Sequence, residues 1–130
     1  MRFLADGLEM RGMDRYSIET IGIPPIVLME QAAAAAVDEM RGCLEGQPSI
    51  LIVCGTGNNG ADGLAMARLL DNEGYAVQVV PVGNQMKATE EWKTQAEICS
   101  RLGIPFVHQE LSAEYIRSNR IGVVVDGLFG

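Results

Sequence analysis

The stretch Cys54-Gly55-Thr56-Gly57-Asn58-Asn59-Gly60-Ala61-Asp62-Gly63 decides how this chain is read. Before it stands Ser49-Ile50-Leu51-Ile52-Val53, a short continuous apolar run of the kind that forms a strand covered on both faces. After it stands Leu64-Ala65-Met66-Ala67-Arg68-Leu69-Leu70, which reads as a helix. Four glycines between the two let the backbone bend sharply and approach a ligand with no Cβ in the way. The amides that open the next helix then point at an incoming negative group. Strand, glycine turn, helix is the physical recipe for a phosphate or dinucleotide site.

Working outward, strand and helix signals alternate from residue 49 onward. Strands are expected at 50–54, 76–82, 104–107 and 121–126, and helices at 62–73, 87–102 and 112–119. Alternation with right-handed crossovers predicts an α/β fold, a Rossmann-like doubly wound parallel sheet. Upstream, two N-terminal helices are expected. The first covers 4–21, with Leu4, Leu8, Ile18 and Ile21 among charged residues, and is stopped by Gly22 and Pro24. The second opens at Pro24-Pro25, where proline is tolerated, and runs through Ala32 to Ala36 to end near Gly42. The five alanines reflect either plain helix propensity or close packing against another backbone or a second subunit, which would make a homodimer. The strand at 121–126 is expected to lack both a covering helix and a partner on its outer edge, a liability for a buried-type strand. That predicts one domain, 1–130, incomplete at its C-terminal end.

Composition bounds the function. The 130 residues are 48% hydrophobic and 21% charged, as in an ordinary globular domain. Aromatics make up 5%, too few for the stacking platforms of a single-strand nucleic-acid binder. Ten basic against seventeen acidic residues give a net charge of −7, which opposes non-specific binding to nucleic acid or anionic membrane. A phosphate-bearing ligand must then be held by local features or a bound cation. Cys43, Cys54 and Cys99 show no CxxC spacing and read as free thiols in a reducing compartment. With no signal peptide and no membrane-length apolar run, a cytoplasmic location is expected.

The turn has rival readings. Gly55-Thr56-Gly57-Asn58-Asn59-Gly60 satisfies G-x-G-x-x-G, but the second strand ends Val80-Pro81-Val82-Gly83-Asn84, without the carboxylate that grips a ribose. A standard nicotinamide dehydrogenase is disfavoured, and no Gly-Lys-Ser/Thr follows to make a Walker loop. Asn58, Asn59 and Asp62 suit a tight turn by themselves. Their oxygens also suit a hard cation, and their amide hydrogens a substrate's oxygens. Asp62 alternatively gains about 0.3–1 kcal/mol as an N-terminal helix residue. In a sheet ordered 3-2-1-4, the turn after strand 1 and Asp126-Gly127-Leu128-Phe129-Gly130 after strand 4 face each other at the switch point, where ligands bind. Asp126 is otherwise a carboxylate capping loop amides. His108 reads as a surface histidine, Trp92 as part of an amphipathic helix, and Glu30 as facing either the crevice or water.

Three segments resemble the NAD(P)H-hydrate epimerases, also called the YjeF N-terminal domain. They are Met13-Asp14 to Gly22-Ile23-Pro24 with Leu28-Met29-Glu30, then Gly57-Asn58-Asn59-Gly60-Ala61-Asp62-Gly63 with its helix, then Val125-Asp126-Gly127-Leu128-Phe129-Gly130. The resemblance implies epimerisation of hydrated NADH or NADPH, beside an ATP- or ADP-dependent NAD(P)H-hydrate dehydratase, fused or separate. By position it implies that Asn58, Asn59, Gly60, Ala61 and Asp62 contact substrate and that Gly130 begins a second substrate segment. It also implies that Asn59 and Asp126 bind a potassium ion, K+. Asp62 and Asp126 are the candidates for catalytic acid or base. The chain departs from the family at Ala61, usually glycine, whose methyl is expected to crowd the substrate. It also departs at Gln31-Ala32-Ala33, usually Asn-Ala-Gly, and lacks the later Asp-Ile-Pro-Ser-Gly ligands. The rival function is a non-catalytic nucleotide-binding or scaffolding module on the same fold.

Overall fold

A computed structural model describes residues 2–3 and 21–128. The expected helix over 4–21 lies outside the described residues, Ile21 apart.

Helix α1 (Pro25–Glu39) starts with Pro24 as N-cap and Pro25 in the first turn. Its apolar residues Met29, Ala33, Ala36, Val37 and Met40 recur at helical spacing and are buried as one stripe. The chain then enters strand β2 (Ser49–Cys54), helix α2 (Asn58–Asn72) and strand β3 (Val77–Pro81). Helix α3 (Glu90–Arg101), the short helix α4 (Ala113–Ser118) and strand β4 (Ile121–Gly127) follow. Strand β1 is the pair Arg2–Phe3.

The sheet is wholly parallel in the order β1-β4-β2-β3. Residue Phe106 adds a single parallel bridge to Val79 on the far side of β3. The expected order of the four apolar segments, 3-2-1-4, is therefore present, with two corrections. The segment at 104–107 is a bridge rather than a strand, because Pro105 has no N–H to extend a ladder. Its carbonyl accepts from Val79 N–H at 2.9 Å and Val107 N–H reaches the Val79 carbonyl at 2.7 Å, and the pairing stops there. The outer edge of β4, expected to be bare, pairs with β1, Arg2 beside Val125 and Phe3 beside Asp126.

The main core lies on one face of the sheet, while Leu51, Val53 and Val80 are buried on the other. Ile50, Ile52, Cys54, Val77, Val79, Val123 and Val125 point to the main-core face and pack under α1, α2 and α3. Helix α2 sits centrally against β2, β3 and β4, flanked by α1 and α3. Complete burial of Ile50, Ile52, Leu64 and Leu70 contributes about 1.5–3 kcal/mol each. The alanine run finds its close neighbour within the chain: Ala33 and Ala36 are buried on the side of α2, while Ala34 and Ala35 face out. On the other face, Tyr115 of α4 donates its hydroxyl to Gln78 Oε1 at 2.5 Å.

Candidate functional site

Strand β2 delivers the chain to the carboxyl edge of the sheet at Cys54. Only Gly55, Thr56 and Gly57 form the turn, and α2 opens at Asn58 with Gly57 as its N-cap. The expected helix start at 62 is thus corrected by four residues. First-turn N–H groups have no intrahelical acceptor to lose, so the low propensity of asparagine and glycine costs little there. The first helical bond runs from Ala61 N–H to Gly57 carbonyl at 3.0 Å.

Four consecutive carbonyls of the turn are held by neighbours. Cys54 O accepts from Val82 N–H at 2.8 Å, and Thr56 O from Thr89 N–H at 3.3 Å. Gly55 O accepts from the indole Nε1 of Trp92 at 2.8 Å, and Gly57 O takes the Ala61 bond just described. The turn therefore commits its acceptors inward. What it presents at the mouth of α2 is donors, the amides of Gly57, Asn58, Asn59 and Gly60 that a helix leaves without internal acceptors. With the positive end of the helix dipole behind them, they favour an anion.

Crowding explains the glycines. A Cβ on Gly60 would stand 1.7 Å from the Gly55 carbonyl oxygen, so α2 starts in direct backbone contact with the turn. A Cβ on Gly63 would meet Cys54 Sγ at 3.1 Å and Ile52 Cγ2 at 3.2 Å, which lets the helix lie close on β2.

The second turn joins the first across the switch point between β2 and β4. Gly55 N–H donates to the Gly127 carbonyl at 3.0 Å. A Cβ on Gly127 would lie 2.9 Å from Val53 O and 3.3 Å from Asn59 O, so the 126–128 turn sits directly against the first turn of α2. Asp126 is exposed, and its Oδ1 accepts from Leu128 N–H at 2.9 Å, the expected capping role. That bond leaves its second oxygen for another partner.

The remaining expected residues fall as follows. Asn58 is exposed and Asn59 half-buried at the helix start, and Gly60 is buried. Asp62 is half-buried in the second turn of α2 rather than the first, so the expected gain from the helix dipole is corrected, because that effect fades within one turn. Ala61 is completely buried, with its methyl in the apolar core. Gly130 lies outside the described residues. Glu30 pairs with Arg68 across α1 and α2. His108 is exposed and shares a cavity of about 390 Å³ with Glu97 and Ser100; Glu97 there accepts from Arg101 at 2.7 Å. Trp92, expected only to be amphipathic, is buried and bonded to the turn. Its partner is 37 residues away, and only its isolation among charged residues marked it in the sequence.

None of Cys43, Cys54 and Cys99 is in a disulfide. Burial, with the nearby Cys99 thiol adding, raises Cys54 far above the ordinary thiol range. Burial also pushes Cys99 up to about 11. Raised in this way, neither is a reactive thiolate at neutral pH. For a cation, Asn59 and Asp126 offer hard oxygen donors on adjoining turns, which fits an alkali ion in type. Each of the turn's own carbonyls already accepts one hydrogen bond. Among the described residues no cluster of three or more His, Cys, Asp or Glu side chains gathers. Nor is any described helix long and apolar enough to cross a membrane.

Residues 25–130 match the family described as YjeF-related protein N-terminus. The chain is 38% identical over 122 residues to the NAD(P)H-hydrate epimerase of Limosilactobacillus fermentum, covering 94% of this chain and 56% of that protein. It is 42% identical over 123 residues to the protein of that name from Lentilactobacillus buchneri, covering 94% and 55%. The crystal structure of yeast ynu0 superimposes with a TM-score of 0.73 at 26% identity, covering all of this chain and 57% of that one. The chain spans about half the length of the curated relatives it matches.

Proposed function

The chain belongs to the family of YjeF-related protein N-termini, and we propose that it serves as an NAD(P)H-hydrate epimerase, an isomerase acting on hydrated NADH or NADPH. The observation that carries the reading is the set of four inward-held carbonyls from Cys54 to Gly57. A turn so arranged offers amides to a pyrophosphate at the switch point of a parallel sheet, where dinucleotides bind.

In this reading the amides of Gly57 to Gly60 take the substrate's phosphates, and the Asn58 and Asn59 side chains hydrogen-bond its sugar and base oxygens. Asn59 and Asp126 hold K+, which offsets the Asp126 charge beside a dianionic pyrophosphate. Ala61 contributes helix packing in place of direct contact. Inversion at the hydrated carbon needs its hydroxyl protonated, expelled with help from the ring-nitrogen lone pair, and replaced by water on the opposite ring face, which returns the proton. No net atoms or electrons change. Asp62 and Asp126 are the carboxyl groups to which this reading assigns that proton. A dehydratase that consumes one epimer is the expected partner, fused or separate, and a reducing cytoplasmic compartment suits the buried thiols.

The test is to give the full-length protein a single epimer of hydrated NADH and follow its chromatographic peak. Equilibration much faster than in buffer is expected, and faster with K+ than with Na+. A rate equal to that in buffer rejects the activity. The Ala61 methyl lies in the apolar core, so its presence does not by itself favour the scaffolding alternative.

A further inference from the structure

Trp92 is the only tryptophan in the chain, and nothing in the glycine motif calls for it. Its ring is 3% exposed, and its indole Nε1–H donates to the Gly55 carbonyl at 2.8 Å inside the protein. The described backbone contains no cis peptide bond. In a trans peptide, the carbonyl of one residue and the N–H of the next point in opposite directions. Holding Gly55 O toward α3 therefore turns Thr56 N–H away from α3.

The residue type matters as much as the bond. An indole donates a hydrogen bond and cannot accept one. If the Gly55–Thr56 peptide flipped, the buried indole N–H would face another N–H and stand unpaired, a penalty of about twentyfold or more in population. Phenylalanine in its place would fill the space without choosing between the two orientations. A hydroxyl or amide side chain would pair with either. The neighbouring carbonyl, Thr56 O, is held by Thr89 N–H, and Thr89 Oγ1 caps α3 by accepting from Trp92 N–H at 3.1 Å. The first turn of α3 thus grips two successive carbonyls of the turn.

We propose that Trp92 is a positioning residue: it locks the Gly55–Thr56 peptide in the orientation that adds Thr56 N–H to the amides of Gly57, Asn58 and Asn59 as one donor set for the nucleotide's phosphates. This rests on the reading of the turn as a nucleotide site. Its action is on ground-state binding, so it raises affinity without touching the reacting carbon.

The experiment uses the full-length protein with Trp92→Phe, and with Trp92 replaced site-specifically by either benzothienylalanine or 5-fluorotryptophan. Benzothienylalanine keeps the ring shape and lacks the N–H; 5-fluorotryptophan keeps the N–H. The phenylalanine and benzothienyl proteins should show KM for hydrated NADH raised about tenfold, with kcat within about twofold, as one lost buried hydrogen bond predicts. The 5-fluoro protein should match the wild type. Benzothienylalanine with wild-type KM would overturn the proposal, as would a loss confined to kcat. Should Trp92→Phe fail to fold, the two analogues still decide. If even the wild type does not epimerise, the functional reading falls, and hydrogen exchange at the Thr56 amide judges the positioning role alone. Exchange that differs between the analogues upholds that role, and identical exchange ends it.

Discussion

The two ends of the sheet use glycine for opposite reasons. At the amino end, where each chain segment returns to begin a strand, Gly46, Gly74 and Gly103 have positive φ and open space around the missing Cβ. Gln47 and Arg120 adopt positive φ at the same end, so side chains are tolerated there at some strain. At the carboxyl end, Gly55, Gly60 and Gly127 have no such φ, and each lacks room for a methyl. Gly46, Gly74 and Gly103 supply backbone freedom, whereas Gly55, Gly60 and Gly127 supply absence of volume. Gly122, whose added Cβ would lie 2.7 Å from Pro48 Cβ at the amino end, and Gly83, with φ of 106° at the carboxyl end, show that each end also uses the other device. The crowded end is the one that carries the candidate site, because close backbone contact is what brings amides from several segments to one point.

The sharpest way to break that contrast is Gly60→Ala. Its methyl would meet a backbone carbonyl oxygen at 1.7 Å, and neither the turn nor the helix can yield without losing the Gly55 bonds to Trp92 and Gly127. A loss of about 3 kcal/mol or more is expected in urea denaturation, with nucleotide binding abolished in whatever remains folded. A variant with wild-type midpoint and binding would show that the crowding does not matter.

How far the sequence led follows the same division. The strand, turn and helix around 49–72 were legible because apolar runs and glycines are local signals. Strand order followed from alternation and handedness, which leave few topologies. The helix start was misplaced because Asn58, Asn59 and Gly60 look like turn residues, and their low propensity ceases to matter in a first turn. Segment 104–107 looked like a strand until Pro105 limited it to one bridge. The two-residue strand Arg2–Phe3 is too short for any periodicity to reveal. The hold of Trp92 on Gly55 was invisible, since no local pattern specifies a contact across 37 residues. The burial of the Ala61 methyl is not legible in the motif, because a motif position does not tell which way its side chain points.

Alkaline pH probes the tight packing of α2 and α3 over the end of β2. Cys54 and Cys99 lie in that region, and burial raises both thiols above their ordinary value of 9.0, Cys99 to about 11. A thiol raised on folding favours the folded state only while it is protonated in both states. The stability it contributes is intact below pH 9 and is lost as pH rises toward about 11. One such thiol gives a slope of about 1.4 kcal/mol per pH unit across that window, and Cys54 adds in the same direction. Urea midpoints measured from pH 8 to 11 should fall accordingly, and the fall should be shallower in Cys99→Ala. A flat profile would mean that water reaches these thiols and the packing is loose. Under native conditions at pH 8, a thiol reagent should label Cys43 and spare the other two.

Gly74→Ala tests the open end. Its φ of 97° is strained for any side chain, but nothing lies within 4 Å of the added methyl. The expected loss is about 1–2 kcal/mol of strain, partly offset by about 0.4–1 kcal/mol from the stiffer unfolded chain. Nucleotide affinity should not change. If this substitution weakened binding as Gly60→Ala does, the two ends would not be mechanically separate.

The smallest effect is expected at Arg120, and there the sign is the informative part. Arg120 holds φ at 54° between α4 and β4, exposed, with its N–H bonded to Arg117 O at 3.1 Å. Replacing it by glycine removes left-handed strain of about 1 kcal/mol, while the freer unfolded chain takes back about 0.4–1 kcal/mol. The two terms nearly cancel, so Arg120→Gly should move the urea midpoint by no more than a few tenths of a kcal/mol, towards stability if at all. Arg120→Ala changes the side chain and leaves the strain, so it should be neutral as well. Arg120→Val should be the worst of the three, because a β-branched residue fits that region poorly. The order glycine, alanine, valine at this site follows from backbone angle alone. At Gly60, by contrast, the loss appears with the first methyl added.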